Sequence, residues 1–247
     1  MRRRVVMAVA FLVAVSGLLA ASGPARGATP SGTTMPSSMA GDESLCTAKA
    51  KARVVTLTGR AVSLRQDLLR QLDGSATRAS ALTAKHRAQI GAITDRALEG
   101  LAALKPAVRS ADGCSVAISL AKGIVTDFRV YGLVAPQIRL AVAGDTGAHA
   151  AAQLTDVLPA LKAAVAAMPD TDTKTQAQSL LSNYSGSATA AAEAFGPVAD
   201  AVLALSADDY PGNRATLEAQ MIAVARGVQA LRVAATDADT LADLLTA

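Results

Sequence analysis

Apolar residues recur at three- and four-residue steps along most of this chain, as expected of helices with one buried stripe. Periodicity starts near Leu45. Val55, Val62 and Leu69 step by sevens with Ala48, Ala52 and Leu72 beside them, and Asp73-Gly74-Ser75 reads as the turn that ends the run. A second stripe opens after Thr83, an N-cap residue type. Ile90, Ala97 and Leu104 again step by sevens, Ile93, Leu101 and Val108 complete the face, and Asp112-Gly113 closes it. These two helices predict an antiparallel hairpin with a coiled-coil-like seam.

The stretch from Cys114 to about Ala143 is the most apolar beyond the N-terminal region. Lys122, Asp127, Arg129 and Arg139 interrupt it, so a buried core helix is predicted instead of a membrane span, with a kink at Pro136. Gly144-Asp145-Thr146-Gly147 is a candidate break or bend. Helix resumes over Ala148 to Ala167 despite Pro159, until Met168-Pro169-Asp170. Further helices are predicted over about Thr173–Leu205 and Asn213–Leu245. Between them Ser206-Ala207-Asp208-Asp209 resembles a capping box and Tyr210-Pro211-Gly212 a corner. No internal repeat is evident. Long helices on short connections predict an all-α fold, an elongated up-and-down antiparallel bundle over residues 44–247.

Composition supports this fold. Hydrophobic content is 51% but aromatics are only 2% and Trp is absent, so the core must be packed from Leu, Val, Ile and Ala. Sheets draw on aromatic and β-branched residues together, which disfavours them here.

The N-terminus has a different pattern. Arg2-Arg3-Arg4, the uncharged apolar run Val5 to Ala21, and the small residues of Ser22-Gly23-Pro24-Ala25-Arg26-Gly27 have the order of a secretory signal. Cleavage is expected after Gly27, removing residues 1–27 and leaving no stable membrane span. Residues 28–43 have the Ser/Thr/Gly/Pro content of a flexible linker. The four arginines lost with the signal bring the mature chain from +4 to neutral, so its basic precursor composition does not imply nucleic-acid binding. Charge remains uneven, +7 over residues 28–143 and −7 over residues 144–247. Mutual packing of the halves is the favoured explanation; a basic face meeting an anionic envelope polymer is the other. Cys46 and Cys114 are the only cysteines, and the predicted hairpin brings them together, so a structural disulfide is expected after export.

Catalytic motifs are weak. His86 and His149 have no metal-ligand neighbours in sequence, and both are read as surface residues; no metal site or cofactor is expected. Ser119-Leu120-Ala121-Lys122 has the SxxK form of serine acyl-enzymes but lacks the companion elements that chemistry needs. Asp170-Thr171-Asp172-Thr173-Lys174 lacks the glycine and terminal glutamate of a calcium loop and reads as a turn with an Asp cap.

Asp127 and Tyr131 stand four residues apart with Arg129 between them, inside the apolar third segment. They are the candidate binding residues. The plainer reading is a buried hydrogen-bonded pair that fixes helix register. The strings DFRVYGLVAPQIRL and LSADDYPGNR resemble secreted helical proteins of high-GC actinobacteria, in keeping with 17 Arg against 7 Lys. That group carries no assigned activity, so the resemblance implies compartment and fold and no catalytic residue. The expected function is a secreted, non-catalytic binding or scaffolding protein of the cell envelope, with an envelope protein or polymer as partner. The alternative is an extracytoplasmic chaperone-like or small-ligand-binding bundle with an apolar cavity near Tyr131.

Overall fold

A computed structural model describes residues 47–246. The expected signal peptide, the linker and Cys46 lie outside the described residues. Seven α-helices and no strand occur among the described residues: α1 Ala48–Arg78, α2 Ala84–Ser110, α3 Cys114–Thr126, α4 Ala135–Ala166, α5 Asp172–Phe195, α6 Val198–Leu203 and α7 Arg214–Leu244. A π-helical turn, Val130–Val134, leads into α4. None of the described helices is long and apolar enough to cross a membrane.

The bundle has two cores in series along α4, which at 32 residues is roughly 48 Å long. The first is built from α1, α2, α3, the π turn, the start of α4, and α6. The second is built from the later part of α4 with α5 and α7. The seven-residue seams predicted for α1 and α2 are buried: Val62, Leu69, Ile90, Ala97, Leu101, Leu104 and Val108 all lie in the first core. Ala48 and Ala52, expected beside the seam, are exposed.

Caps explain where several helices begin. The Thr47, Thr83 and Thr171 hydroxyls accept from the N–H groups of Ala50, His86 and Lys174, satisfying donors that a helix start leaves open. Thr171 therefore caps α5, and the expected aspartate cap gives way to Asp172 in the first turn. Ser206-Asp209 does not cap α7 either. The Ser206 hydroxyl accepts from Asp208 N–H within the loop, and its carbonyl accepts from the Asn213 side chain.

Breaks differ most from expectation. Helix α1 runs through Asp73-Gly74-Ser75 to Arg78, because the buried Ala76 anchors its last turn. The third segment does not kink at Pro136. It breaks at Asp127–Arg129, where Arg129 is left-handed (φ 41°), and Pro136 sits in the first turn of α4, where an N–H is dispensable. Gly144 and Gly147 neither break nor end α4; both are buried where other residues crowd the helix. A side chain on Gly144 would meet Val198 and one on Gly147 would overlap the Phe195 ring. The predicted Thr173–Leu205 helix divides into α5 and α6 at Gly196-Pro197.

Candidate functional site

The break between α3 and α4 dismantles the predicted Asp127–Tyr131 pair. Asp127 is exposed at the end of α3, where its carboxylate accepts from the Thr126 hydroxyl at 2.6 Å. Tyr131 is 53% exposed, beyond the left-handed turn. They are not a buried pair on one helical face, because the helix that would align them is interrupted between them. Instead each of two arginines lies over a tyrosine ring. Arg65 of α1 stands 4.8 Å from the Tyr131 ring centre, and Arg129 stands 4.4 Å from that of Tyr210. Both guanidinium groups keep a buried Nε without a hydrogen-bond partner, so the ring face is what each plane rests on. With the pair exposed, Asp127→Ala and Tyr131→Phe should each move the unfolding free energy by no more than about 0.5 kcal/mol. Chemical denaturation checks this, and a loss well above that would return the pair to the core.

His86 is not a surface residue. It is 7% exposed in the first turn of α2, beside the Thr83 cap. Its Nδ1 lies 2.8 Å from Asp145 of α4, and its Nε2 lies 3.1 Å from Asp200 of α6. Asp145 also accepts from the Thr83 N–H at 2.8 Å, and Lys85 pairs with Asp200 at 2.5 Å. Burial pushes the His86 pKa down, but the hydrogen bonds to Asp145 and Asp200 outweigh it and hold the ring above its ordinary value. With a carboxylate on each nitrogen, the imidazole is a clasp between three helices. It has no free nitrogen to act as base for a nucleophile. His149 is exposed, with Gln153 at 3.2 Å. Ser119 and Lys122 are both exposed on α3.

The halves do pack against each other, since Val198, Val202 and Leu203 of the second half lie in the first core, but few of their charges pair. Among the described residues, ion pairs between the two halves are confined to Lys85 and His86 with Asp145 and Asp200. The basic residues of α1 do not reach the acidic half. Arg70 pairs with Asp67 one turn away on the same helix, and Lys51 donates to the Ala111 carbonyl at 2.6 Å. Arg60 of α1 and Lys105 and Arg109 of α2 have no ion-pair partner among the described residues, and these three border an open groove of about 630 Å³ between the helices. Val55, Gly59 and Leu64 line it as well, with Leu64 63% exposed. The basic excess over residues 28–143 was readable in the sequence, but no local motif marks Lys105 and Arg109 as neighbours of Arg60.

Among the described residues no group of three His, Cys, Asp or Glu side chains is arranged to hold a metal ion. The chain matches no family model, no curated protein and no solved structure.

Proposed function

We infer that this chain is an exported, non-catalytic binding protein of the cell envelope whose recognition surface is the cationic face of α1 and α2. One observation carries the reading: Arg60, Lys105 and Arg109 surround an open groove with no acid of the chain's described part paired to them. Unpaired cations held on a rigid helix pair attract polyanions without any further rearrangement. Export follows from the signal-like residues 1–27, and the resemblance to secreted actinobacterial helical proteins agrees with it. A Cys46–Cys114 bridge belongs to the same proposal. Supporting it, the Lys51–Ala111 hydrogen bond brings the first turn of α1 beside the end of α2, three residues before the buried Cys114. The small-ligand alternative called for an apolar cavity near Tyr131, and an exposed Tyr131 does not favour it.

Sedimentation of the mature chain with isolated envelope material tests the reading. Retention is expected at low ionic strength and should fall steeply as salt approaches about 0.5 M, where the screening length drops below 5 Å. Absence of retention at every salt concentration would sink it.

A further inference from the structure

We propose that the α1–α2 groove holds a single anionic polymer strand with a hydroxylated backbone, lying lengthwise between Arg60 on one wall and Lys105 and Arg109 on the other. The proposal rests on the envelope-binding reading and adds where the ligand lies and what its chemistry is.

Shape limits the occupant. On α1 the lining runs from Val55 to Asp67, roughly 18 Å at the helical rise. An open groove of that length takes an extended strand along it.

Chemistry narrows it further. Arginine and lysine together suit phosphate or carboxylate oxygens, the arginines through their planar fork and the lysine as a point charge. The single acid in the lining, Asp67, is already held by Arg70 at 3.0 Å. Thr56 and Ser63 donate their hydroxyl hydrogens to Ala52 and Gly59 carbonyls on their own helix, at 2.9 and 3.1 Å. Their oxygens are thereby left as acceptors, which match hydroxyl groups on the ligand and not a bare hydrocarbon. Val55 and Leu64 offer apolar surface to the carbon faces of such a backbone.

Gly59 is one of the lining residues, and a Cβ added there would come no nearer than 3.8 Å to Lys105 Cε, so a larger side chain can be accommodated at this point of the groove.

Two variants of the mature chain separate groove from charge. Gly59→Leu fills the groove and leaves every charge in place, and the exchange favours helix, so folding is retained. Lys105→Gln with Arg109→Gln keeps the shape and removes two cations. Binding is read by fluorescence anisotropy with a labelled polyol-phosphate polymer and a labelled polyuronate of matched length. Each variant should weaken binding about tenfold at low salt, and the double Gln variant should also flatten the salt dependence. Preference for the first polymer assigns phosphodiester as the anion, preference for the second assigns carboxylate, and either supports the site. Gly59→Leu binding like the parent while the Gln variant fails would overturn the groove and leave the envelope reading standing. Displacement of the polymer by inorganic phosphate at equal anion concentration would overturn the strand. Retention on envelope material without binding to either polymer would overturn the ligand class, and loss of that retention would remove the envelope reading itself.

Discussion

Replacing Phe195 with alanine should cost about 3–5 kcal/mol of stability, the largest loss expected from any single truncation in the second core. The reason is the scarcity of large side chains there. That core is mostly alanine and leucine, and Phe195 and Tyr184 are its largest fully buried side chains. Two glycines make room for the ring. A Cβ on Gly227 of α7 would come within 2.5 Å of it, and one on Gly147 of α4 would overlap it. The ring therefore joins three helices, α4, α5 and α7, at one point. Gly147→Ala should destabilise by about 1–3 kcal/mol through overpacking, even though alanine is the better helix former. In a Phe195→Ala background the collision disappears and only the propensity gain remains, so the same Gly147→Ala change should stabilise. A double-mutant cycle measured by denaturant unfolding checks this reversal of sign. Additive, same-sign effects would show that the ring does not rest on Gly147.

The same glycines explain why the fold was only partly legible in the sequence. The seams of α1 and α2 were readable because a seven-residue apolar step survives any choice of neighbour. Gly144 and Gly147 looked like a break because a local reading takes paired glycines as turn residues. Here they admit Val198 and Phe195 against an uninterrupted helix, a use that depends on residues some 50 positions away. The real break at Asp127–Arg129 carries neither glycine nor proline. Arg129 adopts the left-handed conformation with its guanidinium stacked on Tyr210, again a distant partner. Local propensity loses to tertiary contact in each case.

The candidate site divides in the same way. Residue types were visible and their partners were not. Arg60 belongs to the basic excess over residues 28–143, but whether its charge is neutralised depends on what packs beside it. The structure packs the two halves together yet leaves Arg60, Lys105 and Arg109 without an ion-pair partner among the described residues. Asp127 and Tyr131 show the converse. An apolar neighbourhood in sequence suggested burial, yet the break at Asp127–Arg129 puts both side chains on the surface.

His86 was missed for want of any local signal, since its partners lie 59 and 114 residues further along the chain. Its position between Asp145 and Asp200 predicts an unusual pH dependence of stability. A histidine whose folded pKa is raised contributes fully below its unfolded value of 6.5, and that contribution disappears as pH rises through the folded value. Asp200 works in the opposite sense. The hydrogen bond from Lys85, then that from His86, lowers its pKa, so its contribution is present above the ordinary value of 3.8 and lost as pH falls through the folded one. The clasp is therefore strongest between about pH 4 and 6.5 and weakens on the alkaline side. The charged groups facing the ring are those two carboxylates, with Lys85 on its own helix pairing to Asp200. His86→Ala should cost about 3 kcal/mol near pH 5.5, because it leaves the Asp145 carboxylate buried beside an empty space. His86→Gln can still donate one hydrogen bond but cannot titrate, so its stability should be flat from pH 5.5 to 8 while that of the parent declines. Denaturation midpoints of parent and His86→Gln across that range give a direct comparison. His149, the chain's one other histidine, is exposed and common to both proteins. Parallel profiles for the two proteins would mean that His86 does not hold its second proton between the carboxylates.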